Sequence, residues 1–352
     1  MRLGGAALLA VTLGCRPIDE AEQPPVSKDS QTPAAREPPA VAPQVSVALP
    51  DFASVVERIA PSVVSVICTL PIAGGRPKRG IGSGTVVRAD GLVITNAHVV
   101  PELAIAIDIE YADHERVRAK VVHREPLLDL AVLMPEPARA DQAPVVFRER
   151  PVRPGEWVVA VGHPFGLGDT VTVGVVSGLG RDYDDVGRPP SLPKDGYFSF
   201  VQTDASINTG SSGGPLVDLR GEVLGIATAV RGEGEGLGFA VPATLARRYL
   251  DEVLTHGRFR RVRLGIAADE DHEFPGRMMT VRVTRVDPAG PGAKAGLAPG
   301  DFVFAVQGQP VNRVSEVAYL TQFLGVDAPI ELQVQRGGEA LRVVTVMPVE
   351  GQ

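Results

Sequence analysis

Asn208-Thr209-Gly210-Ser211-Ser212-Gly213-Gly214-Pro215-Leu216 sets two serines inside a glycine-rich turn that opens into an apolar run. Alone, such a turn reads as a flexible loop. Two other stretches change its meaning. Ile94-Thr95-Asn96-Ala97-His98-Val99-Val100 ends a strand-like run in a small-residue corner that presents one histidine, and Pro126-Leu127-Leu128-Asp129-Leu130-Ala131-Val132-Leu133 sets an aspartate in an otherwise apolar run. Amide hydrolysis needs a nucleophile, a base that takes its proton, a group that orients the base, and donors aimed at the developing oxyanion. Ser212, His98 and Asp129 supply the first three residue types. A buried carboxylate between Leu128 and Leu130 costs several kcal/mol unless it is hydrogen-bonded, and a histidine N–H is such a partner. Gly210 and Gly213 permit backbone conformations that turn amides inward.

Outward from these stretches the chain is a series of short strand-like runs separated by turn signals. They fall at Val63–Cys68, Gly84–Val87, Leu92–Thr95, Ala104–Ile109, Val117–His123, Ala131–Met134, Trp157–Val161, Val171–Val176, Phe198–Gln202, Leu216–Val217 and Glu222–Thr228. Asp90-Gly91 reads as a two-residue hairpin turn. Such spacing over this length predicts a barrel or sandwich, with doubling an open option. Phe52, Val55, Val56 and Ile59 recur at helical spacing before Pro61, and 244–255 reads as a helix closing this region. A second unit follows, with strands at Met279–Val286, Phe302–Val306, Ile330–Arg336 and Leu341–Val346, a turn at Gly337-Gly338 and a helix at Ser315–Leu324. It reads as a small α+β module.

The 352 residues carry 35 basic and 42 acidic side chains, a formal net charge of −7. No basic excess points to nucleic acid. Six histidines without paired spacing and two cysteines, Cys15 and Cys68, predict no metal site, and no cofactor motif is present. Cys68, in the run Val63–Cys68, reads as an inert core residue. The glycines of Gly232–Gly238 stand without a strand–turn–helix context and beside two glutamates, which argues against a phosphate cradle and for a loop.

The order His98, Asp129, Ser212 and the local sequences resemble the chymotrypsin-type serine proteases, specifically the HtrA/Deg family. The motifs are Gly82-Ser83-Gly84, Thr95–Val100, Asp129–Leu133, Val161-Gly162-His163-Pro164-Phe165-Gly166, Gln202-Thr203-Asp204-Ala205, Gly210–Leu216 and Gly238–Pro242, with Arg263-Leu264-Gly265-Ile266 and 295–301 similar to a PDZ module. The resemblance covers 51–350 in one collinear order. It implies a mainly β fold: two six-stranded antiparallel barrels of trypsin-like type over 51–257, then a small α+β PDZ domain over 258–350. It implies Ser212 as nucleophile, His98 as general base, Asp129 as orienting group, and the amides of Gly210 and Ser212 as the oxyanion hole. It places Ile207 near the pocket for the residue before the cut, with small aliphatic residues preferred there. Arg181 matches an arginine that links activation loops, and Leu264, Gly265 and Ile266 form the loop and edge that take peptide C-termini. Ser211 stands where the family commonly has Asn, and His163 where it often has Asn; His163 reads as structural. The loop 71–79 is short, which implies a homotrimer, with Phe52 a candidate contact.

Residues 1–15 read as a secretion signal, and Thr12-Leu13-Gly14-Cys15 is similar to a bacterial lipobox in which Cys15 is lipidated; Thr12 stands where Leu is usual. Residues 16–50, rich in Pro and Ala without hydrophobic periodicity, read as a disordered tether. The expected protein is a serine endopeptidase of the bacterial cell envelope, periplasmic or anchored by lipid alone, acting on misfolded proteins. A regulatory protease with one dedicated substrate and a chaperone or binding module with low protease activity are the alternatives.

Overall fold

Asp51 accepts hydrogen bonds from the amide and hydroxyl of Ser54, starting helix α1 (Phe52–Ile59), which buries Val55 and Ile59. Pro61 turns the chain through a short 3-10 segment into the first strand. The computed structural model describes residues 49–140, 142–163, 170–182, 196, 198–208, 210–228, 236–272 and 279–351. Cys15, residues 16–48 of the tether, Thr209, Pro164-Phe165-Gly166 and residues 232–235 of the glycine-rich loop lie outside the described residues.

Six antiparallel strands close the first barrel: β1 (Val63–Leu70), β2 (Lys78–Val86), β3 (Val93–Thr95), β4 (Ala106–Glu110), β5 (Arg116–Glu125) and β6 (Leu130–Glu136), in the ring order β1-β2-β3-β6-β5-β4. The second comprises β7 (Val146–Phe147), β8 (Trp157–Gly162), β9 (Thr170–Arg181), β10 (Phe200–Thr203), β11 (Pro215–Val217), β12 (Glu222–Thr228) and β13 (Gly238–Pro242). Its ring, β11-β8-β9-β10-β13-β12, closes through the β11–β12 pairing, and β7 adds to β12 in parallel. The run Val63–Cys68 is buried throughout rather than alternately, because one face of β1 fills its own barrel while Ser65, on the other, donates to the His163 carbonyl at 2.5 Å. Between the barrels Ile94, Leu128, Leu130, Val161, Phe200 and Ile226 form a shared core. A fully buried Val, Leu or Ile contributes about 1.5–3 kcal/mol, so this seam fixes how the barrels meet.

Helix α2 (Ala243–His256) packs Leu245, Ala246, Tyr249 and Val253 into that core and ends at Gly257, whose left-handed conformation (φ 71°) lets its amide reach the Val253 carbonyl. The Tyr249 hydroxyl donates to the His123 carbonyl on β5 at 3.1 Å. The C-terminal module contains β14 (Val262–Arg263), β15 (Ile266–Asp271), β16 (Thr280–Val286), α3 (Pro291–Lys294), β17 (Asp301–Val306), β18 (Gln309–Pro310), α4 (Val314–Leu324), β19 (Ile330–Arg336), β20 (Arg342–Val346) and β21 (Val349–Glu350). Its main sheet runs β15-β16-β17-β19-β20, around a core of Val281, Val303, Val317, Leu332 and Val334.

The mainly β, two-barrel architecture expected from the sequence is present, with three local differences. The Asp90 hairpin has a four-residue loop, 88–91: Val87 N–H bonds the Leu92 carbonyl and Gly91 N–H bonds that of Arg88. Strand β2 starts at Lys78, well before Gly84, because its glycines give no hydrophobic alternation to read. Strands β7, β13, β14, β18 and β21 carry no strand signal in the sequence; several span two residues, too short for a period of two to register.

Candidate active site

Asp129 leaves its turn with a positive φ of 53°, a conformation that aspartate tolerates better than most residues. The Asn96 side-chain amide holds the Asp129 carbonyl at 3.0 Å. Its carboxylate is fully buried, 0% exposed, and three donors converge on it. His98 contributes its backbone N–H (3.1 Å to Oδ1) and ring Nδ1 (3.0 and 2.9 Å to the two oxygens), and Thr228 on β12 contributes its hydroxyl (3.0 Å to Oδ2). With Asp129 as acceptor, the proton sits on Nδ1 and leaves Nε2 as the basic nitrogen. Burial by itself lowers the His98 pKa, but the Asp129 charge and hydrogen bond outweigh it, and the net shift is upward from 6.5.

The serine turn is clamped from both barrels. On the first-barrel side, Ser83 N–H donates to the Ser212 carbonyl (2.7 Å), the Ser83 hydroxyl to the Gly210 carbonyl (2.6 Å), and the Thr85 hydroxyl to the Gly213 carbonyl (3.0 Å). Thr95, three residues before His98, donates its hydroxyl to the Ser83 carbonyl at 2.7 Å. On the second-barrel side, Gly213 N–H donates to the Ala227 carbonyl at 2.9 Å. Ala227 precedes Thr228, so one stretch of β12 touches both the serine turn and the Asp129 carboxylate. Gly213 has φ 91°, and a Cβ there would run into the Ser83 carbonyl. A Cβ on Gly82 would meet both Val99 and the Ser212 carbonyl, so the histidine corner and serine turn pack against the same residue. The amides of Ser211 and Gly214 bond the carbonyls of Asn208 and Ser211. These, with Gly213, are engaged internally and leave no role toward a substrate.

Ile207 rests its side chain against Gly238, where a Cβ would also meet the Ala205 carbonyl. The neighbouring acid, Asp204, accepts the Val175 amide at 2.6 Å. Arg181 donates its Nε to the Gln202 side chain at 2.9 Å. The next residue meets the C-terminal module. Asp182 accepts from the Ser315 hydroxyl at 2.7 Å and pairs with Arg313 at 3.2 Å, beside the start of α4. Asp182, Thr228 and Ser83 are functional candidates that sequence reading did not single out by role. Ser83 lay within a quoted motif; Asp182 and Thr228 carried no pattern, since their partners are far away in sequence. His163 is buried, its amide donating to the Ser83 hydroxyl at 2.9 Å, which agrees with a structural part. Cys68 is buried against Gly80, and burial raises its thiol pKa.

Leu264, Gly265 and Ile266 lead into β15, an edge strand of its sheet. The Leu264 and Gly265 carbonyls accept the amides of Gly292 and Asp287. Between β15 and α4 runs a groove of about 420 Å³, lined by Ile266, Ala268, Val314, Val317, Ala318 and Thr321 among others. An open strand edge beside an apolar helix face suits an added peptide strand. Among the described residues no cluster of side chains could hold a metal ion.

Comparison with known proteins agrees with this layout. The family model described as a trypsin-like peptidase domain matches residues 82–226, and that of a PDZ domain matches residues 282–336. The periplasmic pH-dependent serine endoprotease DegQ of Escherichia coli K12 is 33% identical over 326 residues, covering 84% of this chain and 70% of DegQ. The periplasmic serine endoprotease DegP of the same organism is 34% identical over 282 residues, covering 77% of this chain and 58% of DegP. The chain thus spans between 58% and 70% of these relatives' lengths. The structure of the HtrA-type protease AlgW with a tripeptide aligns with a TM-score of 0.66 and 30% identity, over 86% of this chain and 98% of that one.

The upward shift of His98 gives a direct expectation. A histidine whose folded-state pKa is raised stabilises the fold below its unfolded value and loses that contribution as pH rises through the folded one. NMR titration of His98 should therefore show a midpoint above 6.5. In Asp129→Asn only burial remains, and the midpoint should fall below 6.5; a midpoint unmoved by this substitution would contradict the pairing.

Proposed function

The chain belongs to the HtrA/Deg family of serine endoproteases, and on that premise we propose that it is an envelope endopeptidase that cuts unfolded or misfolded proteins. The observation that carries this reading is the buried Asp129 carboxylate. It is bonded to His98 from the first barrel and to Thr228 from the second, beside the clamped Ser212 turn. Ser212 Oγ attacks the scissile carbonyl while His98 Nε2 takes its proton. Asp129 stabilises the imidazolium, and His98 then returns the proton to the leaving amine. The acyl-enzyme is opened by water in the same way. The amides of Gly210 and Ser212 hold the oxyanion, in keeping with the internal engagement of those of Ser211, Gly213 and Gly214. Ile207 against Gly238 narrows the pocket for the residue before the cut and suits a small aliphatic side chain.

The peptidase domain extends over 51–257 and the PDZ domain over 258–350. Partners' apolar C-termini add to β15, their carboxylates held at Leu264, Gly265 and Ile266. Asp182, bonded to Arg313 and Ser315, gives that groove a mechanical route to the segment that follows Arg181. A homotrimer is supported by apolar surface left open beside Phe52: its ring meets Trp157 edge-on at 5.4 Å, and Trp157 remains 45% exposed. The protein resides in the periplasm, as its relatives' names state for them, held to the membrane by a lipid on Cys15. The His98–Asp129 geometry favours an active enzyme over a silent binding module; a dedicated signalling substrate would use the same residues.

Three outcomes follow. Ser212→Ala should abolish cleavage of an unfolded protein, by about a million-fold in kcat if a measured serine protease is a guide, whereas Ser211→Ala keeps most activity; the reverse pattern would reassign the nucleophile. Peptides with apolar C-termini should speed hydrolysis of a short reporter, by about 5- to 150-fold if the coupling is typical. Amidated peptides should do so less, and removal of 261–352 should end the response; equal stimulation of the truncated chain would place the sensor in the peptidase domain. Mass spectrometry of the mature N-terminus should find a lipidated Cys15, and an unmodified one removes the anchor.

A further inference from the structure

Strand β2 has two sides with different duties. The even positions face the first barrel's interior, where a Cβ on Gly80 or Gly84 would meet Cys68 or Val66, and at Gly82 that face also meets Val99 and the Ser212 carbonyl. The odd positions face the serine turn, since Thr85 and Ser83 bond the carbonyls of Gly213 and Gly210. Side chains alternate along a strand, so Ile81 and Arg79 continue the lane that starts at the serine. Along it the chain climbs out of the core: Ser83 is buried, Ile81 half-buried and Arg79 exposed. The facing residues of β1 are Ser65, Ile67 and Thr69.

Arg79 closes a short cationic rim with Arg76 and Lys78, all exposed. Among the described residues none of the three has an acidic partner within ion-pair distance. Asp108, the nearest acid across the sheet by register, is itself held by Arg118 at 3.4 Å. Three positive charges in four residues run against a chain whose net charge is −7.

We propose that this lane is a specificity subsite for the leaving-group side of the substrate: the half-buried Ile81 takes an apolar residue, and the exposed Arg79 takes a carboxylate. The inference rests on the peptidase reading above. Ile207 and Gly238 lie on the second-barrel side of the serine turn and β2 on the first-barrel side. A polypeptide seated against Ile207 before the cut therefore leaves across β2. Ser83 lies four residue steps from Arg79, about 13 Å of strand. A substrate running extended alongside brings a residue two to four positions beyond the cut within reach of the guanidinium. The subsite thus favours unfolded segments in which an acidic side chain follows the cleaved bond at that spacing.

The test uses the full chain and three internally quenched peptides. They are identical through the residue before the cut and carry Glu, Ala or Lys at the third position after it. At low ionic strength kcat/KM should rank Glu over Ala over Lys, with Glu exceeding Lys by about three- to tenfold, the size expected of exposed charge pairs. The spread should shrink near 1 M salt, where screening reaches about 3 Å. Arg79→Glu should reverse the ranking of the Glu and Lys peptides. Equal kcat/KM for all three peptides, or an unreversed ranking in Arg79→Glu, overturns the subsite. Cleavage of the Ala peptide that disappears in Ser212→Ala supports the peptidase reading by itself; if no peptide is cut, both readings fall.

Discussion

A carboxylate without any solvent exposure has to be surrounded by donors, and in this protein they come from both barrels. Asp129 is held by the amide and ring of His98 on one side and by Thr228 on the other. A buried charge left unpaired costs several kcal/mol. The barrels can therefore dock only in a geometry that brings β12 to the turn before β6. The apolar seam around Leu128, Leu130 and Ile226 supplies most of the docking energy without setting a direction. The hydrogen bonds to Asp129 supply the direction and fix the ring of His98.

The same economy of scaffolding shapes the serine turn. Ser83 is bonded to two of its carbonyls and accepts from Thr95 and His163. Ser83 and Thr95 are small, and His163 takes part through its backbone amide, so the backbones come closer than larger side chains at these bonds would permit. Gly82 and Gly213 mark the two closest approaches. Preorganisation of this sort matters for catalysis because donors already in place need not reorganise when charge develops.

The C-terminal module is tied on by charge as well as by apolar contact. Arg261 forms a two-pronged pair with the buried Glu125 at 2.9 and 3.0 Å, joining the link between domains to the first barrel. Tyr319 on α4 meets Thr244 on α2 at 2.9 Å, and Arg313 meets Asp182. Helix α4 thus lines the groove on one face and contacts the peptidase domain through its start and its side. A strand added at β15 would press on an element already touching the segment after Arg181.

Much of the fold was legible in the chain. Alternating short runs and turn residues gave β1, β3 to β6, β8, β12 and β19 nearly to their ends, and helical spacing gave α2 and α4, because these signals are local and periodic. His98, Asp129 and Ser212 stood out because each breaks the composition of its own surroundings: a histidine at a small-residue corner, an acid among leucines, a serine among glycines. Thr228, Asp182, Glu125 and Arg79 had no such contrast. A threonine ending a strand, or an arginine in a polar hairpin, is ordinary until the chain brings it beside a residue some hundred positions away or turns its side chain onto a particular face. Local sequence determines backbone preference and burial by short-range sterics and hydrophobic period. Which carboxylate meets which donor, and which face of β2 looks toward the serine, depends on register and docking across barrels, and only the tertiary structure decides those.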